Sequence, residues 1–223
     1  MYGRGFEAGY LLLKPIAFIL CSFAAAIDSL TMIFGTVVVS NKMKTTEKQE
    51  IKDFLKLHFR GHSKCKISRN PNSDGKYEVS ANGNIFHMVS KGTHGQNLTN
   101  GRFIWTVVNG DFNCSCSMGS LEGGPRKVTG DFYMESNRHL TNLKGAPEEV
   151  GGSFKCSYST SLVSLEGAPK MLSGAFACNN CTSLKSLKYA PKETLDFRCR
   201  GCGAEFDQEY IRKEFNAYGL ILC

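Results

Sequence analysis

The chain contains no Gly-x-Ser-x-Gly, no Gly-x-x-x-x-Gly-Lys-(Ser/Thr) and no His-Glu-x-x-His. The motifs of a serine hydrolase, a phosphate-cradling nucleotide enzyme and a zinc protease are therefore missing. Its five histidines, at 58, 62, 87, 94 and 139, share no ligand spacing. His58 and His62 are four apart, but Gly61 between them signals that a helix has already ended. Charge of one sign is never blocked. Lys and Arg outnumber Asp and Glu by 27 to 20, giving +7, yet the two signs alternate over most of the chain. That pattern gives a solvated surface rather than the basic stripe of a nucleic-acid binder. Gly-rich stretches such as Gly92-Thr93-His94-Gly95 read as loops.

Proline is scarce as well, six residues in 223, and four of them, Pro125, Pro147, Pro169 and Pro191, stand 22 residues apart. Leu121, Leu143, Leu165 and Leu187 keep the same step. A fixed period of this size marks a repeat array. Each unit ends in an alternating strand signal: Phe132-x-Met134, Phe154-x-Cys156, Phe176-x-Cys178 and Phe197-x-Cys199. Gly110-Asp111-Phe112-Asn113-Cys114 repeats that ending once more upstream. Four full turns thus follow a leading half-turn.

The unit has a physical reading at each step. Phe-x-Cys is a short strand with one buried face. Three residues on stand Asn137, Ser159, Cys181 and Cys202, small side chains able to bond to backbone at a corner. Leu-x-x-Leu returns the chain across the core. Gly-Ala-Pro and its variants set the next corner, with Pro fixing φ and Gly relaxing it. No unit closes a core alone, so neighbours must stack at the spacing of parallel strands, about 4.8 Å.

These residues carry a resemblance. Phe-x-Cys-x-x-(Asn/Ser/Cys)-x-x-Leu-x-x-Leu is similar to a variant leucine-rich repeat. Ser164-Leu165-Glu166-Gly167-Ala168-Pro169 and Leu143-Lys144-Gly145-Ala146-Pro147 resemble the "SLEGAP" repeats of tailed-phage and some bacterial leucine-rich-repeat proteins. The match covers roughly residues 74–203, and Asp74-Gly75-Lys76-Tyr77-Glu78-Val79 resembles the lead-in to such arrays. Phe and Cys replace the usual strand leucines, and only Asn137 keeps the corner asparagine. The resemblance implies an α/β repeat fold: a short leucine-rich-repeat-like solenoid with a parallel sheet, an N-terminal helix and hairpin cap and a C-terminal helix. It also implies a phage or bacterial origin and action in the host bacterial cytoplasm, with attachment to the membrane as the alternative.

The flanks differ from the array. Residues 43–109 read as an N-terminal capping region, opening with a helix that puts Ile51, Phe54, Leu55 and His58 on one face. Strand–turn–strand signals follow, around Asn70-Pro71-Asn72-Ser73-Asp74-Gly75 and Asn82-Gly83. The repeat solenoid takes 110–203. In 204–223, Phe206, Tyr210, Ile211 and Phe215 are spaced for a closing helix. Residues 1–42 form a hydrophobic leader, almost wholly apolar over 15–39 apart from Asp28. Three readings compete: a membrane anchor, long enough to span; a signal peptide cut near Ala24-Ala25-Ala26; and a mis-set start, with Met43 the true first residue.

Ten cysteines invite two ideas. Cys178-x-x-Cys181 and Cys199-x-x-Cys202 have the spacing of a zinc ribbon. The repeat explains the same residues as a strand row and a corner row, since free Cys serves as a small buried hydrophobe. No cofactor or metal is needed on that reading, and reduced thiols are expected. Asn97-Leu98-Thr99 and Asn180-Cys181-Thr182 match a glycosylation sequon, the second inside a repeat corner.

What remains is a surface. Flanking the buried pair, outward positions fall on Asp131, Tyr133 and Glu135; Ser153, Lys155 and Ser157; Ala175, Ala177 and Asn179; Asp196, Arg198 and Arg200. The expectation is a non-enzymatic protein–protein interaction module whose partner face comprises Asp131, Tyr133, Glu135, Lys155, Asn179, Asp196, Arg198 and Arg200. Weak self-association is compatible with so small a face. Two alternatives stand beside it. One is a zinc-stabilised nucleic-acid binder using Cys178, Cys181, Cys199 and Cys202. The other is a membrane-tethered protein acting through residues 1–42.

Overall fold

The computed structural model describes residues 46–71, 75–88, 98–115, 118–202 and 206–223. The leader, Asp74, the loop at 92–95 and Asn97 of the first sequon lie outside those residues. Residues 48–223 form one compact unit. Its described core begins at Ile51, so the unit carries what an independent domain needs.

A helix, α1, spans 46–58. It is followed by β1 (Phe59–Arg60), β2 (Cys65–Arg69), β3 (Tyr77–Asn82), β4 (Ile85–His87) and β5 (Phe103–Asn109). Then come short strands, two per turn: β6 (Phe112–Asn113), β7 (Lys127–Val128), β8 (Phe132–Tyr133), β9 (Glu149–Val150), β10 (Phe154–Lys155), β11 (Met171–Leu172), β12 (Phe176–Ala177), β13 (Glu193–Thr194) and β14 (Phe197–Arg198). Helix α2 (Gln208–Glu214), β15 (Asn216–Ala217) and β16 (Ile221–Leu222) close the chain. The result is a parallel-sheet β-solenoid of about six turns.

One sheet stacks the Phe-x-Cys segments in the order β1-β4-β6-β8-β10-β12-β14-β16. All its pairs are parallel except β1–β4. A second wall, which the periodicity did not announce as a strand, runs β11-β9-β7-β5-β3-β2 and continues as the β13–β15 pair. Val128, Val150, Leu172 and Thr194 bury their side chains there. The third wall is the Leu-x-x-Leu crossing, whose leucines are buried without strand pairing.

The period works because identical side chains meet. Phe112, Phe132, Phe154 and Phe176 stack with ring centroids 5.7, 5.1 and 5.7 Å apart and planes within 7° of parallel. Corners are stitched from turn to turn as well. Gly130, Gly152 and Gly174 each donate an N–H to the glycine one turn before, at 3.0, 2.9 and 2.9 Å. A Cβ on Gly174 would lie 2.6 Å from the Gly152 carbonyl, so only glycine lets these corners approach so closely.

Both ends extend the array beyond the four and a half turns read from sequence. At the start, the β2–β3 hairpin and α1 form the cap, with Ile51, Leu55 and Phe59 buried. Trp105 joins the cap to the phenylalanine column, 5.3 Å from Phe59 and 5.8 Å from Phe112. At the other end the helix expected within 204–223 is short. It occupies only Gln208–Glu214, capped by the Asp207 carboxylate at 2.8 Å. The chain then pairs β15 with β13 and adds β16 to the eight-stranded sheet, where Ile221-x-Cys223 restates the Phe-x-Cys pattern. Here α2 takes the place of a Leu-x-x-Leu wall, setting Phe215 5.1 Å from Phe197. No helix of the described residues is long and apolar enough to cross a membrane, and 15–39 lies outside them.

Candidate functional site

The outward face of the eight-stranded sheet holds the predicted partner residues, but the structure gives them unequal roles. Asp131, Asn179 and Asp196 are partly scaffold. Successive N–H groups along one rim donate to the side chain one turn earlier: Asp111 to Asn84 Oδ1 (2.9 Å), Asp131 to Asp111 Oδ1 (2.9 Å), Ser153 to Asp131 Oδ1 (2.7 Å) and Ala175 to Ser153 Oγ (3.2 Å). Leu220 donates likewise to Asp196 Oδ1 at 2.8 Å. The opposite rim repeats the device with Glu135 on Ser115, Asn179 on Ser157 and Arg200 on Asn179. Sequence gave one hint of this ladder, the run of short polar residues beside the strand, which reads equally well as solvated surface.

Asp131 uses its second oxygen differently. Oδ2 accepts from Lys155 Nζ at 2.8 Å and from the Tyr133 hydroxyl at 2.8 Å. The Lys155 ammonium also lies 4.4 Å from the Tyr133 ring centre, a cation–π contact. Burial would raise the Asp131 pKa, but hydrogen bonds from Lys155, the Ser153 N–H and Tyr133 outweigh it and hold the carboxyl below its usual range. Burial works against the Lys155 charge too, and the bonds to Asp131 and Tyr133 overcome it, so its pKa is raised. Across the face Arg198 meets Asp196 at 2.8 Å. Asp196 is held low by the Leu220 N–H and then by Arg198.

Between these two ionic groups the face carries small side chains with little exposure. Ser157, Ala175 and Ala177 are buried, at 3, 7 and 6 % exposure. All three are small side chains at the positions that alternate with the buried Phe and Cys of their strands. The face is therefore a shallow floor of small side chains flanked by fixed charges. At its cap end it runs into a cleft of about 710 Å³ lined by Arg60, Lys64, Asn84, Phe86, His87 and Asn113. Phe86 is 43 % exposed there.

Cys178, Cys181, Cys199 and Cys202 lie where the repeat put them, and all four are buried free thiols. The corner row acts as donors to the previous turn. Ser159 Oγ donates to the Met134 carbonyl (3.3 Å), Cys181 Sγ to Cys156 (3.3 Å) and Cys202 Sγ to Cys178 (2.7 Å). Asn137 instead accepts from the His139 and Leu140 N–H groups at 3.0 and 3.1 Å. The donor role explains how Ser and Cys interchange at this corner. The Cys178 thiol is driven up by its bond with Cys202 and by burial. Bonds with Cys156 and Cys202, then burial, do the same to Cys181. Among the described residues no group of three or more His, Cys, Asp or Glu is placed to hold a metal ion.

Two histidines do come together. His58 and His87 stack at 6.4 Å, and burial followed by the His58 charge lowers His87 to about 4. Their 29-residue separation left no signal in the sequence.

Fold and face define a class, the short parallel β-solenoid with an ordered polar sheet face. No family model, curated protein or solved structure matches the chain.

Proposed function

We propose that the protein is a non-enzymatic interaction module that binds a protein partner through the outer face of its eight-stranded sheet. One observation carries this reading. Lys155, Tyr133 and Asp131 on one side and Arg198 and Asp196 on the other are fixed by mutual bonds around the floor of Ser157, Ala175 and Ala177. Ordering long side chains costs entropy on binding, and here that ordering precedes the partner. The floor admits close approach, and Phe86 in the adjoining cleft supplies an apolar anchor. The resemblance to "SLEGAP" repeats supports a phage or bacterial origin, a leucine-rich-repeat kinship and action in the cytoplasm of a bacterial host.

The test is capture from bacterial lysate with three proteins: wild type, a Tyr133→Ala/Lys155→Glu/Phe86→Asp variant, and a Glu193→Ala control on the other sheet. A protein recovered by wild type and control but lost by the face variant supports the proposal. Equal recovery by all three, or none by any, sinks it. Sedimentation over a range of concentrations separates self-association through the same face from a foreign partner.

A further inference from the structure

A second surface lies on the N-terminal cap, away from the residues just discussed. A groove of about 660 Å³ separates α1 from β2 and is lined by Lys48, Lys52, Lys56 and Lys66, with Asp53 as the one lining carboxylate. Three of the lysines follow from helix geometry, since residues four apart fall on one flank. Charge is segregated around α1. Glu50 sits on the opposite flank and pairs with Arg102 at 3.0 Å, while Asp53 in the groove accepts from Gln49 at 3.0 Å. None of the four groove lysines makes an ion pair with a carboxylate among the described residues. All four are exposed. The fold adds Lys66 from a different element to the three on the helix.

We propose that this groove is a docking surface for an anionic lipid bilayer. Unpaired ammonium groups on one face recognise phosphate-bearing surfaces in general. Two observations select the bilayer. First, α1 begins at residue 46, seven residues after the apolar run of 15–39 ends. A run of that length and composition suits a bilayer anchor, and on that reading the lysines follow it in sequence within reach of the headgroups. Lysines so placed bind anionic headgroups, gaining about fivefold in affinity each. Second, the groove lining contains no Phe, Tyr or Trp, whereas single-stranded nucleic acid is held by stacking its bases on aromatic rings. The surface is independent of the partner face, because none of its residues belongs to the eight-stranded sheet.

The experiment measures vesicle partitioning of residues 43–223, which include the whole compact unit, and of the full chain. Vesicles are phosphatidylcholine alone or with about 30 mol % phosphatidylserine. The variant is Lys48→Gln/Lys52→Gln/Lys56→Gln/Lys66→Gln, with circular dichroism confirming that both proteins are folded. For residues 43–223 the proposal expects at least tenfold preference for the anionic vesicles, lost at high salt and lost in the variant. For the full chain it expects the variant to lower the anionic-to-neutral ratio by at least tenfold. A ratio near one for wild type, or equal ratios for wild type and folded variant, overturns it. Tighter binding of a DNA duplex or of polyglutamate than of the anionic vesicles also overturns it, by assigning the groove to another partner.

Discussion

Tyr189 occupies the corner that Gly167 occupies one turn earlier, and it has been forced into the same left-handed backbone, φ 73° against 94°. Gly123 and Gly145 hold the two preceding corners, at φ 79° and 89°. For a residue with a Cβ this conformation costs roughly 1–2 kcal/mol. Tyr189→Gly is therefore expected to raise stability, by about 0.5–1 kcal/mol once the extra freedom of the unfolded glycine is set against the relief. The converse change, Gly167→Ala, would set a Cβ 2.5 Å from the Leu143 carbonyl group. It is expected to cost more than about 2 kcal/mol. Urea midpoints of the two variants test the pair, and a stabilised Gly167→Ala would contradict the account.

The rim ladder has a gap. Ala175 has no side-chain acceptor to offer the next turn, whereas the Asp131 and Ser153 side chains at the same position accept from it. Ala175→Ser would give the Asp196 N–H an acceptor. The gain expected is about 1 kcal/mol, the net worth of one hydrogen bond. Thermal unfolding reads it directly, and an unchanged or lowered midpoint would refute the structural role given to the ladder.

Phe154 lies between Phe132 and Phe176, at 5.1 and 5.7 Å. Phe154→Ala removes contacts to both neighbouring turns and leaves a cavity that two-residue strands with paired corners have little freedom to close. A loss of about 3–5 kcal/mol is expected. Because solenoid turns stabilise one another through shared interfaces, the loss should appear in the unfolding of the whole array.

Stability should fall as the medium is acidified from neutrality. His87 is lowered from its ordinary 6.5 to about 4, by burial and then by the charge of His58. Between these values the unfolded chain binds the proton and the folded chain does not, so the favourable contribution is complete above about pH 6.5 and drains away toward pH 4. With allowance for the partial exposure of the ring, the loss is on the order of 2 kcal/mol. In denaturant melts from pH 7 to pH 4 the wild type should lose about this much stability relative to His87→Leu, which has no proton to take up at that position. Parallel curves would exclude His87 as the cause.

Legibility in the sequence followed locality. The Phe column, the Leu-x-x-Leu wall and the corner row recur at one step, so the period located each of them. The second wall was harder to see, because two buried residues such as Val150 and Leu172 give no alternation when their strands are only two residues long. The last turn escaped for another reason. With α2 in place of a leucine wall, Ile221-x-Cys223 no longer falls on the 22-residue step. On the outer face of the eight-stranded sheet, the outward positions were legible, but their roles were not. Asp131 and Lys155 look alike as surface charges in the sequence, and only the stacking reveals that one Asp131 oxygen serves the backbone of the next turn.

The sequence by itself determined that this chain is a stack, since a side chain repeated at a fixed step can be buried only against its own copies. It also determined the fate of the paired cysteines as a row and a corner, because the period supplies their positions. Tertiary structure alone decided which surface residues act together. It set Lys66 beside the α1 lysines, His87 on His58, and Lys155 on Asp131 of the preceding turn. Those associations join residues from different turns or elements, and the distances between them are fixed by how strands and helix pack.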